Sequence, residues 1–157
     1  MLLGELLGGT GGLLGGVLDL VGGVISGLLE ITGLLDCSEQ SYAMTRQTIG
    51  PWGGSIKVGN HMLVIPRGAL SNYVTIKAEQ MRGSTNSVRF SPEGLQFAKP
   101  AALTMSYSNC RNVEPPKAIV YTTEGLEVLQ VLLSVDLLRW MKVTAPIDHF
   151  SRYAIAY

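Results

Sequence analysis

The chain has 157 residues, enough for one domain and an appendage. Twelve Lys and Arg balance twelve Asp and Glu, and charged residues are only 15% of the chain, against about 25% in an average soluble domain. With 46% apolar residues, that balance excludes a disordered charged tail and a basic nucleic-acid footprint, and two cysteines exclude a disulfide-dense mini-protein or a four-thiolate zinc site.

Residues 1–36 hold 11 of the 19 glycines, and their only charges are Glu5, Asp19, Glu30 and Asp36. The remaining 121 residues carry all twelve basic groups and eight acidic ones, so net charge splits as −4 and +4 near Cys37. From Leu6 the leader repeats in sevens as LLGGTGG, LLGGVLD and LVGGVIS. On a helix, Leu6, Leu7, Leu13, Leu14, Leu20 and Val21 then form one broad apolar stripe, with Leu18 adding contact area. Gly8, Gly12 and Gly16 fall four apart, a spacing that lets a helix backbone approach another surface closely. Each interior Gly costs about 1 kcal/mol relative to Ala, or roughly 10 kcal/mol for the leader, so such a helix does not stand alone in water. The longest charge-free run, 6–18, has 13 residues. A membrane span needs about 20, with Lys or Arg to orient it, and no basic residue flanks this run. The segment is expected to dock on a partner protein or a lipid interface, with 37–48 as a linker.

From Ser55 onward the pattern turns to β. Short runs rich in β-branched and aromatic residues predict strands over 55–58, 61–65, 73–79, 87–91, 102–107, 118–122, 140–144 and 153–157. Pro51-Trp52-Gly53-Gly54, Pro66-Arg67-Gly68, Pro92-Glu93-Gly94 and Pro115-Pro116 punctuate them. Alternation turns Val74, Ile76 and Ala78 inward. The fold class is therefore mainly β, an antiparallel β-sandwich over 49–157 preceded by a helical Gly/Leu segment. One stretch departs from this: Leu126, Leu129, Leu133 and Leu137 recur at helical spacing and predict a short helix over 125–138, across one end of the sandwich.

Four stretches, taken together, resemble a ZU5 domain over about 49–157. They are Gly53-Gly54-Ser55, Ile65-Pro66-Arg67-Gly68-Ala69-Leu70, the run from Phe90-Ser91-Pro92-Glu93-Gly94-Leu95 through Gln96-Phe97-Ala98-Lys99-Pro100, and His149-Phe150-Ser151-Arg152-Tyr153-Ala154. The whole chain is similar to bacterial exported proteins that join a Leu/Gly-rich leader to such a domain. The resemblance implies an antiparallel sandwich and a scaffolding or interaction role. It also implies one chemistry. In some ZU5-like tandem modules an equivalent His-Phe-Ser cleaves itself, the hydroxyl attacking the preceding carbonyl. Carried over, Ser151 is the nucleophile, His149 the assisting group and Phe150–Ser151 the scissile bond. Here only seven residues follow that bond, and no second module waits to be released. The bland reading places Phe150 and Tyr153 in the closing strand and its core.

No other constellation suggests an enzyme. His61 and His149 have no CxxC spacing beside them, which leaves no metal site, and no Walker loop or GxSxG occurs. No cofactor, small-molecule substrate or nucleic acid is implied. Cys37 and Cys110 each lie just outside an apolar run, so a disulfide tying the leader to the sandwich is expected; two free buried thiols are the alternative. The disulfide fits a periplasmic or cell-surface location. The function these features favour is a non-enzymatic accessory subunit docking on a membrane-associated complex through its leader. Self-processing at Phe150–Ser151 is one alternative. A surface module for carbohydrate or peptide is the other, with Trp52 and Trp140 as stacking residues at one end of the sandwich.

Overall fold

The computed structural model describes residues 31–111 and 116–157, together with the backbone of 24–26. It is mainly β, with two six-stranded sheets packed face to face. The strands are β1 (Val24–Ser26), β2 (Ala43–Ile49), β3 (Gly54–Val58), β4 (His61–Ile65), β5 (Val74–Gln80), β6 (Ser87–Ser91), β7 (Gln96–Ser106), β8 (Ala118–Thr122), β9 (Val128–Val131), β10 (Ser134–Leu137), β11 (Lys142–His149) and β12 (Arg152–Ala156). Sheet I runs β1-β10-β11-β7-β4-β3 and sheet II runs β2-β5-β6-β12-β8-β9. Every pairing is antiparallel.

The core lies between the sheets and follows strand alternation. Leu63, Leu103, Met105 and Val143 of sheet I meet Ile76, Val88, Phe90, Ile119, Tyr153 and Ile155 of sheet II, all at most 2% exposed. Burying each large apolar side chain contributes about 1.5–3 kcal/mol, so this layer dominates the stability of the fold. β12 is buried on both faces: Tyr153 and Ile155 point to the core, while Ala154 and Ala156 point outward beneath Ile31 and Leu34. The two alanines leave room for that covering segment.

The expected division at residue 36 is therefore not where the sandwich begins. Leu35 is 1% exposed in the main core, and its N–H donates to the Ile155 carbonyl at 2.9 Å. Leu34 bridges to Ala156, Cys37 to Cys110 and Gln40 to Gly83. The stretch expected to be a linker, 37–48, includes most of β2, which pairs along its whole length with β5. A helix was expected over 1–36, most of which lies outside the described residues; of that span, 24–26 forms β1 and pairs with β10 from Val24–Asp136 to Ser26–Ser134.

The helix expected over 125–138 is replaced by two strands, β9 and β10, each in a different sheet. The chain turns at 123–126, where the Leu126 N–H donates to the Thr123 carbonyl at 3.0 Å. Leu129 then points to solvent at 53% exposure, so the four leucines share no face. Val128, Val131 and Val135 supply the β preference that the leucine spacing conceals. Beside this stretch, helical geometry takes the form of a 3-10 turn at Leu138–Trp140.

Candidate functional site

His149, Phe150 and Ser151 form the corner where the chain leaves sheet I at the end of β11 and enters sheet II at β12. The Phe150 ring is fully buried, stacked on Phe90 at 5.2 Å and edge-on to Phe97 at 5.1 Å. Its N–H donates to the Leu95 carbonyl at 2.8 Å, and its own carbonyl accepts from the Gly94 N–H at 3.0 Å. The Phe90 N–H donates to the Ser151 carbonyl at 3.1 Å, and the Tyr153 hydroxyl to the His149 carbonyl at 2.6 Å. The Pro92-Glu93-Gly94 turn thus clamps the corner, and it needs glycine because Gly94 has φ of 80°.

The expected nucleophile and its helper face different surroundings. The His149 Nδ1 lies 2.9 Å from Asp148 Oδ1, and the ring packs edge-on against Tyr121 at 4.8 Å. It lines a shallow depression with Pro100, Pro146 and Tyr153. Ser151 lines another, with Lys77, Glu79, Arg89 and Glu124. Glu79 is the most buried acid there, and its oxygens are engaged. Arg89 donates Nε–H to Oε1 at 3.0 Å, and the Tyr42 hydroxyl donates to Oε2 at 2.6 Å. Burial works to raise the Glu79 pKa, but the hydrogen bonds from Arg89 and Tyr42 outweigh it and hold it below the usual carboxylate range. Such a carboxylate is a held structural anion, poorly suited to accept a proton from Ser151. Tyr153 is pushed up by burial and stays a neutral hydroxyl donor.

Two buried polar centres were not legible from the sequence. Asp136 is fully buried on β10, where it accepts the Tyr107 hydroxyl at 2.6 Å and the Lys117 N–H at 2.8 Å. The Lys117 ammonium sits 4.6 Å over the Tyr107 ring. Burial and the hydrogen bond to Asp136 raise the Tyr107 pKa, so its hydroxyl remains the donor. The only available signal was an acid on an inward strand position, which disappears when 125–138 is read as a helix. His61, at 1% exposure, accepts the Ser106 N–H at Nδ1 (3.0 Å), and burial lowers its pKa to about 4.

His61 bonds at the last residue of β7 and His149 pairs with Gln96 at its first. At about 3.3 Å per residue this separates them by roughly 30 Å, too far to share a metal. Among the described residues no three His, Cys, Asp or Glu groups are placed to hold one. The two tryptophans are likewise apart. Trp52 precedes β3 and lies beneath the Arg67 guanidinium at 4.1 Å, whereas Trp140 lines a groove with Lys57 and Asn60 at the opposite end of the β3–β4 hairpin. A shared stacking platform at one end of the sandwich is thereby ruled out. Leu6, Leu7, Gly8, Gly12, Leu13, Leu14, Gly16, Leu18, Leu20 and Val21 lie outside the described residues.

The expected disulfide is present. Cys37 and Cys110 are bonded across 73 residues of sequence, flanked by Ser38 N–H to Asn109 carbonyl at 2.8 Å and Arg111 N–H to Asp36 carbonyl at 2.9 Å. No family model and no curated protein matches the chain.

Proposed function

We propose that this chain is a non-enzymatic accessory subunit. Its ZU5-like sandwich stands on the periplasmic or outer side, and its N-terminal Gly/Leu segment docks on a membrane-associated protein complex. The disulfide is the observation that carries this reading. Bonds of this kind persist in oxidising compartments, and Cys37–Cys110 joins the segment following the leader to the body of the sandwich. The strap of residues 31–40 supports it further. Ile31, Leu34 and Leu35 pack on the sandwich, so whatever the leader grips is held close to a rigid body.

For the His149-Phe150-Ser151 corner, the contacts favour a structural role. The ring of Phe150 fills the core, and Glu79, the most buried acid of the depression that Ser151 lines, is already engaged by Arg89 and Tyr42.

Fractionation of cells making the full chain tests the docking. Leu13→Asp with Leu14→Asp should move it from the membrane fraction to the soluble one while circular dichroism stays β-rich. Membrane recovery equal to the parent chain would refute the role given to the leader.

A further inference from the structure

The outer face of sheet I carries a groove of about 410 Å³ in which cationic and neutral polar groups surround two exposed apolar side chains, Met62 and Trp140. Lys57 and Lys142 supply two ammonium groups, Asn60, Thr104, Ser106 and Ser108 supply amide and hydroxyl groups, and Trp140 supplies an exposed indole. No carboxylate lines it, and Arg139 adds a third cation beside Trp140, 5.6 Å from the ring centroid. Asp136, the acid of neighbouring β10, is turned into the core and bonded there to Tyr107.

The indole is presented by the turn that joins β10 to β11, whose Met141 carbonyl accepts the Tyr107 N–H at 2.9 Å. The 3-10 turn Leu138–Trp140 buries none of its residues, and Trp140 is 57% exposed. Met141, which ends the turn, holds φ of 53°, a left-handed conformation that is costly for a residue other than glycine. That conformation closes the β10–β11 connection and leaves the Trp140 ring exposed at its tip.

We infer that this groove binds an acidic oligosaccharide, with the Trp140 ring packed on one pyranose face, the hydroxyl and amide groups matching sugar hydroxyls, and Lys57 and Lys142 pairing with uronate carboxylates. Lys57 on β3 and Lys142 on β11 are three strand spacings apart, roughly 14 Å between backbones at about 4.8 Å each, so the two cations flank the groove on opposite sides. A single aromatic platform amid hydroxyls suits a sugar better than a run of bases, which needs successive stacking rings. The groove belongs to the sandwich and acts whether or not the leader docks.

The test is calorimetric titration of the full chain with a galacturonate hexasaccharide, with a neutral glucose hexasaccharide and a six-residue deoxyribonucleotide as comparisons. The expected result is binding of the acidic sugar at least tenfold tighter than either comparison, weakening as salt rises. Lys57→Ala with Lys142→Ala, and separately Trp140→Ala, should each weaken it at least tenfold, while Trp52→Phe, at the far end of the hairpin, leaves it unchanged. Thermal unfolding of each variant within a few degrees of the parent ties a loss to the groove rather than to the fold. Equal binding of the nucleotide would reduce the groove to a general anion surface. Equal binding of the neutral sugar, no binding at millimolar ligand, or indifference to the folded lysine and tryptophan variants would likewise overturn the assignment.

Discussion

Replacing Cys37 and Cys110 together by alanine should remove most of the margin that keeps this sandwich folded. The bond closes a loop across a sequence separation of 73 residues. In the chain-entropy treatment a loop of that length restricts the unfolded chain by about 4 kcal/mol at 25 °C. The native side changes little, because Ser38 N–H to Asn109 carbonyl and Arg111 N–H to Asp36 carbonyl survive the substitution. Folded domains keep only about 5–15 kcal/mol in hand, so the loss is a large fraction. With an m-value of about 2 kcal/mol/M for a chain of this size, the urea midpoint should fall by about 2 M. The slope should rise as well, since the unfolded chain becomes more expanded. Equilibrium urea unfolding by tryptophan fluorescence, without reductant, reads both quantities. A midpoint within 0.3 M of the parent (roughly 0.6 kcal/mol on the same slope) would show that the strap is held by its packing alone. Two thiols titrating in the denatured, unreduced parent would show that the bond does not form.

Three further outcomes follow from the buried groups and the corner. His61 is neutral in the fold, with its pKa lowered from about 6.5 to about 4, so the unfolded state binds its proton first as pH drops. Its contribution is full above pH 6.5 and is lost as pH falls toward 4, about 3 kcal/mol in all, and His61→Phe should remove that part of the slope in urea midpoints between pH 4 and 7; an unchanged slope would contradict the burial argument. Asp136→Asn leaves one carbonyl oxygen for two donors, Tyr107 hydroxyl and Lys117 N–H, and should cost about 2 kcal/mol in the same unfolding assay. Intact mass under denaturing conditions should stay at 16.8 kDa, and loss of the last seven residues would reinstate Phe150–Ser151 as a self-cleaving bond.

Where alternation and turn residues coincide, the strands were legible to the residue, as in β4, β6 and β8. Each is short, β-branched or aromatic, and bounded by Gly, Pro or polar turns. β2 escaped notice because Met44, Arg46, Gln47 and Thr48 are all exposed, and an edge strand with little buried surface has no alternation to read. β9 and β10 were misread because leucines four apart imitate a helix, while the actual constraint is tertiary: each strand joins a different sheet. The buried Asp136 centre was lost with them. The corner residues were found by resemblance, and their partners Leu95 and Gly94 lie in another of the quoted stretches, which sequence order alone does not bring together. The Trp140 groove depends on cross-strand neighbours from β3, β4, β7 and β11, so no local pattern announces it.

The docking account is tested most directly by gentle detergent extraction of the native protein from membranes, followed by identification of everything that travels with it. The account predicts a defined large complex carrying this chain at fixed stoichiometry, with Cys37–Cys110 oxidised. Recovery of the chain alone in the soluble fraction, without companions, would contradict it.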